Sequence, residues 1–148
     1  MNHHHNFKIG LIVLLLLGLS SFYIVHYGLY PIALINGQIV LAQDYYKMVN
    51  SGYVFYTSAL ATYQKTKLNT ADANKLYQDI SKASLDKLIE QKLIDQEFIL
   101  RKGSAGQGLI DKALLSVNNN NIKEPVAKLY GLTMVEFSKF ILEPEAKR

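Results

Sequence analysis

The side chains of this chain that could do acid–base or metal chemistry are its histidines and its carboxylates. All four histidines come early in the sequence, at His3, His4, His5 and His26, and the chain has no cysteine. A Ser-His-Asp or Cys-His arrangement therefore lacks its base throughout the sequence after residue 26. Three adjacent histidines can bind a metal ion, but a polar tail is the simpler interpretation of residues 3–5.

The carboxylates are scattered along the chain without the spacing of a calcium-binding loop. Single aspartates stand at Asp44, Asp72, Asp79, Asp86, Asp95 and Asp111. Glu90 and Glu97 lie among lysines and arginines at helical spacing, a pattern that solvated ion pairs explain better than acid–base catalysis does. The sequence therefore predicts a protein that is not an enzyme and that has no catalytic residue, no cofactor and no metal site.

The composition narrows the class of protein further. The chain has 148 residues, of which 49% are apolar and 19% charged, with a formal net charge of +4. This length leaves no room for a large two-domain enzyme, and the lack of cysteine excludes a disulfide scaffold. Because the basic residues are spread rather than clustered, we expect no nucleic acid among the partners.

A long uncharged segment begins at Ile9 and ends at Tyr30, before Pro31. As a helix it would be about 33 Å long, enough to cross a hydrocarbon core of about 30 Å. Aromatic rings gather at its C-terminal end, as they do at membrane interfaces, and Lys8 precedes it. The sequence therefore predicts a cytoplasmic tail (residues 1–8), a transmembrane signal anchor (residues 9–30) and an extracytoplasmic domain (residues 31–148) of a single-pass bacterial membrane protein.

A cleaved signal peptide is the alternative interpretation of the same segment. Gly18-Leu19-Ser20 would then be the cleavage site. The apolar character continues past Ser21, which favours the uncleaved helix. Both interpretations export the rest of the chain.

The remainder of the sequence has mainly helical patterns. Asn36-Gly37 between short apolar runs predicts a two-residue β-hairpin turn. Helices are expected over residues 42–65, over residues 85–102 from an N-cap at Ser84 to a stop at Gly103, and over shorter segments after a glycine-containing loop at residues 103–108. Thr133 and Glu136 form a capping box that opens a last helix, and Pro144 ends it.

The helix over residues 42–65 is unusually rich in aromatic residues. They could fill a hydrophobic core, as periodic aromatic residues usually do, or they could form a surface that binds other polypeptides. The sequence leaves both uses open.

Three segments in order resemble the N-terminal chaperone domain of SurA-type and PrsA-type periplasmic folding factors. These segments are Ile35-Asn36-Gly37-Gln38-Ile39-Val40, then Leu85-Asp86-Lys87-Leu88-Ile89-Glu90-Gln91-Lys92-Leu93-Ile94-Asp95-Gln96-Glu97, then Tyr130-Gly131-Leu132-Thr133 followed by a helix with Phe137. The resemblance covers residues 31–141. It does not extend to a parvulin-type isomerase domain, so no isomerase activity is expected.

The resemblance implies a small, mainly α-helical bundle with a short β-hairpin that binds unfolded or newly translocated polypeptides through apolar surface. The candidate peptide-binding residues are Met48, Tyr53, Phe55, Tyr56, Tyr63, Phe98 and Phe137. Two alternatives stay open: a structural or assembly subunit that docks one specific membrane partner, and a truncated relative of a parvulin-type prolyl isomerase. The sequence makes no prediction about oligomeric state.

Overall fold

The computed structural model describes residues 3–63, 69–117 and 122–148, and it is mainly helical with one two-stranded antiparallel sheet. The elements are α1 (His3–His26), β1 (Pro31–Ile35), β2 (Gln38–Leu41), α2 (Ala42–Tyr63), α3 (Thr70–Val117), α4 (Lys123–Tyr130), α5 (Met134–Phe137), a π-helical turn (Ser138–Leu142) and α6 (Glu143–Lys147). The predicted class, a mainly α domain with a short hairpin, is confirmed.

The predicted membrane-spanning helix is not confirmed. α1 forms over most of the apolar segment, but among the described residues no helix combines the length and the apolar character needed to cross a membrane. α1 ends at His26 rather than at Tyr30. The predictions of a transmembrane anchor over residues 9–30 and of a single-pass membrane location are therefore wrong.

A glycine cap ends α1 and ties it to α2. Gly28 has a φ of +64°, and the N–H of Leu29 donates to the carbonyl of Ile24, which is the pattern of a Schellman motif. The N–H of Gln43 in turn donates to the carbonyl of Gly28 at 2.9 Å. A Cβ at Gly28 would lie 2.9 Å from that same Gln43 nitrogen, so the close approach needs a glycine.

The hairpin turn is the one that its sequence predicts. Asn36 and Gly37 have φ values of +48° and +83°, as the two central residues of a type I′ turn require. Gln96 on α3 stabilises the turn through its side chain. Its amide nitrogen donates to the backbone carbonyl of Ile35, and its amide oxygen accepts from the side-chain amide of Asn36, both at 2.9 Å. The first two segments of the family resemblance therefore lie in direct contact.

α3 is one continuous helix, which corrects several predicted boundaries. It begins after Asn69, whose side chain accepts from the N–H of Asp72 at 2.9 Å as an N-cap does. Ser84 is buried inside this helix instead of capping a new one, and Gly103 does not end it. The predicted loop at residues 103–108 is helical, since a glycine costs a helix only about 1 kcal/mol. The polar run at residues 118–121 also predicts a turn, but these residues lie outside the described part of the chain.

The hydrophobic core joins the hairpin, α2, α3 and the C-terminal elements. Its buried members are Val40, Met48, Leu88, Val126, Leu132 and Phe140. Phe140 is only 2% exposed, and rings such as Tyr130 and Phe137 pack around this cluster. Each segment of the family resemblance thus contributes one buried residue to the same core: Val40, Leu88 and Leu132.

The chain continues helically through Pro144, where the sequence predicts an end. Proline has no N–H, so the carbonyl four residues earlier, that of Phe140, loses its helical donor. The side-chain amide of Gln91 replaces that donor at 2.7 Å, and the preceding turn widens so that the N–H of Glu143 reaches the carbonyl of Ser138. A buried glutamine on α3 therefore makes the C-terminal helix possible.

Candidate functional site

A groove between α2, α3 and α4 is the site at which the predicted peptide-binding residues concentrate. It is a half-open cavity of about 240 Å³. We call it the aromatic groove, and its lining includes Met48, Phe55, Tyr56, Ile80, Lys87 and Tyr130.

The floor of the aromatic groove is apolar and closely packed. Met48 and Ile80 are buried there. Gly52 lets the two helices approach, because a Cβ at this position would lie 2.8 Å from Cγ2 of Ile80. Gly52 therefore lies at the contact between α2 and α3.

The wall of the groove is a stack of aromatic rings. Phe55 and Tyr130 are nearly parallel, with centroids 5.2 Å apart and an interplanar angle of 10°. The ring centroids of Tyr130 and Phe137 are 5.3 Å apart, and the ring of Tyr56 lies edge-on to that of Phe55. Phe55 is 36% exposed and Tyr56 is 51% exposed, so this wall joins the core on one side and faces solvent on the other.

A capping box fixes the segment that carries the ring stack. Thr133 accepts from the N–H of Glu136, and the Glu136 carboxylate accepts from the N–H of Thr133 at 2.9 Å. Lys47 on α2 pairs with the same carboxylate at 2.5 Å. The hydrogen bond from Lys47, with the backbone hydrogen bond from Thr133, lowers the pKa of Glu136 from 4.5 to about 2.

Lys87 is the charged residue that lines the aromatic groove. It is half-buried on α3, and among the described residues no carboxylate pairs with it. Other lysines close to the core have acidic partners: Lys47 pairs with Glu136, and Lys139 pairs with Asp44 at 2.7 Å. The groove therefore presents an apolar surface with one positive charge beside it.

The structure brings together four of the seven predicted peptide-binding residues. Met48, Phe55 and Tyr56 line the groove, and Phe137 supports it from behind Tyr130. Met48 is a buried floor residue, whereas Tyr56 is exposed.

The other predicted residues lie elsewhere or are not described. Tyr53 makes an edge-on contact with Tyr77 at 6.1 Å and does not line the groove. Phe98 lines a separate hollow of about 400 Å³ whose other lining is largely charged, including Arg101 and Lys147. Tyr63 belongs to α2, but its side chain lies outside the described residues.

Tyr130 and Lys87 are among the groove residues that escape the sequence-based prediction. Tyr130 is half of the stacked pair, and its only sequence signal is its place beside Gly131-Leu132-Thr133 in the family resemblance. Lys87 reads as an ordinary surface lysine of α3, because nothing in its sequence neighbourhood reveals the rings opposite it.

The lining of the groove is better suited to binding apolar side chains than to acid–base or metal chemistry. Among the residues that the structure describes, no group of three or more histidine, aspartate or glutamate side chains could hold a metal ion. The polar side-chain groups that line the groove are serine and tyrosine hydroxyls and the Lys87 ammonium, with rings and aliphatic side chains around them. No protein-family model, no curated protein and no solved structure matches this chain.

Proposed function

We propose that this domain binds segments of unfolded polypeptides in the aromatic groove, as a chaperone-like module. The observation that carries the proposal is the partly exposed cluster of Phe55, Tyr56 and Tyr130 over a buried apolar floor. Exposed contiguous apolar patches on a folded domain commonly mark interaction sites.

The size of the groove favours a polypeptide over a small-molecule ligand. Pockets for drug-sized ligands occupy about 300–1,000 Å³, whereas this cavity has about 240 Å³ and is open along one side. One or two apolar side chains would fill it while the rest of the bound chain stays outside.

The chemistry of the lining favours tolerance for many sequences. Aromatic rings give large contact areas at a low entropy cost, and methionine adapts its shape to different partners. Among the described residues that line the groove, Lys87 is the only charged one, so the rest of the lining does not select the charge of the bound segment.

The packing of the three resembling segments is a supporting observation for the proposal. The hairpin turn contacts the motif helix through Gln96, and Val40, Leu88 and Leu132 share one core. The three segments therefore form one packed unit.

An aggregation assay with the full chain tests the proposal. We expect the protein to slow the aggregation of a chemically unfolded client at about equimolar concentration, and Tyr56→Ala to weaken that effect. Tyr77→Ala is the matched control, because Tyr77 is about as exposed on α3 but does not line the groove. No suppression by the wild-type chain at stoichiometric excess would contradict the proposal.

A second function is favoured by one observation, the exposed apolar surface of α1. Leu14 is 74% exposed, and its neighbours along this helix are similarly uncovered. Such a surface suits a subunit that docks one specific protein partner. Affinity purification that recovers one stoichiometric partner, from a chain that binds no generic unfolded protein, would favour this function over the chaperone-like one.

A further inference from the structure

Resting on the proposed function, we propose that the aromatic groove selects polypeptide segments in which an acidic residue closely follows a large apolar residue. The juxtaposition that carries this inference is Lys87 beside the stacked rings of Phe55 and Tyr130 in one cavity. The apolar side chain would enter between α2 and α3, and the carboxylate would lie at Lys87.

The charge on Lys87 is available to a ligand because the described part of the protein does not neutralise it. No described carboxylate forms an ion pair with Lys87, although Lys47, Lys139 and Lys147 each have one within reach. The groove thus has a local positive charge that its surroundings leave uncompensated.

The position of Lys87 makes this charge more effective than that of a fully exposed lysine. Its side chain is half-buried, and the rings and Ile80 beside it exclude part of the water. Charges interact more strongly where water is partly excluded, and opposite charges across an interface fix the register of a bound chain. A carboxylate next to the apolar side chain would therefore improve affinity and orient the segment.

Three matched peptides provide the test. Each is a blocked peptide of about ten residues with one central phenylalanine, followed two residues later by aspartate, asparagine or lysine. Binding to the full chain is measured by fluorescence anisotropy. We expect the aspartate peptide to bind about two- to fivefold more tightly than the asparagine peptide, the range of a partly exposed ion pair, and the lysine peptide to bind most weakly. High salt should reduce this difference.

Two lysine variants assign the preference to a position. Lys87→Gln should bind the aspartate and asparagine peptides equally, and Lys87→Glu should reverse their order. Lys82→Gln removes the same charge from an exposed position on α3 that does not line the groove, and it should keep the wild-type preference.

The outcomes separate this inference from the proposed function. If the wild-type chain binds none of the peptides and suppresses no aggregation, the proposed function fails. If it binds all three with equal affinity, the proposed function stands and the acidic preference is overturned. A preference that survives in Lys87→Gln, or that is lost in Lys82→Gln, would likewise overturn the role of Lys87.

Discussion

Helices α1 and α3 both carry many apolar residues, but α3 buries some of them, whereas α1 buries none over residues 10–26. Leu14 on α1 is 74% exposed, whereas Leu88 on α3 is 4% exposed. Along residues 10–26, α1 is apolar on every side, so it has no polar face to turn to solvent. α3 alternates apolar and charged residues, which lets one side pack against α2, the hairpin and α6 while the other faces water.

The difference shows that burial depends on the arrangement of apolar residues and on the neighbours that the chain supplies. The described part of the chain provides α3 with packing partners, and it leaves the sides of α1 uncovered. Apolar content alone therefore predicts helix formation in both regions but burial in only one.

The largest expected effect comes from deleting a core side chain and a comparable side chain of α1. Phe140→Ala should lower the free energy of unfolding by about 3–5 kcal/mol, because it leaves a cavity in the core. Leu14→Ala should change it by less than about 0.5 kcal/mol, since its side chain is already exposed. Urea denaturation followed by circular dichroism measures both.

If Phe140→Ala does not fold, Phe140→Leu gives the same comparison with a smaller loss. A loss for Leu14→Ala as large as that for Phe140→Leu would show that α1 is covered in solution, and it would remove the contrast between the two regions.

The next effect lies at the junction between α1 and α2. Gly28→Ala should cost about 2–3 kcal/mol, because it combines a left-handed backbone with a Cβ that meets the Gln43 backbone. Gly37→Ala shares the positive φ but has open space around it, so it should cost only about 1 kcal/mol. Thermal unfolding of both variants measures the difference, and equal losses would mean that the close approach to Gln43 contributes nothing.

A smaller effect concerns the glutamine that supports Pro144. Gln91→Leu keeps the volume but leaves the buried carbonyl of Phe140 without its donor, at a cost of about 1–2 kcal/mol. Gln78→Leu, at an exposed position on the same helix, is the control and should be nearly neutral. Hydrogen exchange of the C-terminal segment should rise in Gln91→Leu alone; unchanged exchange would contradict the role of this hydrogen bond.

The smallest effect is a dependence of stability on pH. Because the pKa of Glu136 is lowered from 4.5 to about 2 in the folded chain, its carboxylate stabilises the fold fully above pH 4.5. This contribution is lost as the pH falls from about 4.5 to about 2. Denaturation midpoints of wild type and Glu136→Gln should therefore converge over this interval, whereas those of Glu124→Gln, an exposed control, should stay close to wild type throughout.

Local signals in the sequence predict the features that depend on a few adjacent residues. Asn36-Gly37 specifies its turn because both positions need a positive φ, and Thr133 with Glu136 specifies a capping box. Ser84 misleads because its burial in the packing of α3 outweighs its weak preference to begin a helix, and Gly103 misleads because a glycine destabilises a helix by only about 1 kcal/mol. Pro144 misleads because its compensating donor, Gln91, comes from a distant part of the sequence.

The residues of the candidate site also divide into those that a local sequence pattern predicts and those that depend on packing between distant elements. The density of rings in α2 identifies Phe55 and Tyr56, whose spacing along one helix is visible in the sequence. The contributions of Tyr130 and Lys87 depend on how α3 and α4 pack against α2, so periodicity gives no hint of them. Tyr53 and Phe98 share the residue types of the groove but face other directions.

The junction at Gly28 has a mechanical consequence for any partner of α1. Backbone hydrogen bonds link the end of α1 directly to the start of α2, so the two helices are not joined by a flexible linker alone. α2 in turn forms one side of the groove. A partner bound to α1 would therefore fix the direction in which the groove opens, and a rotation of that partner would rotate the groove with it.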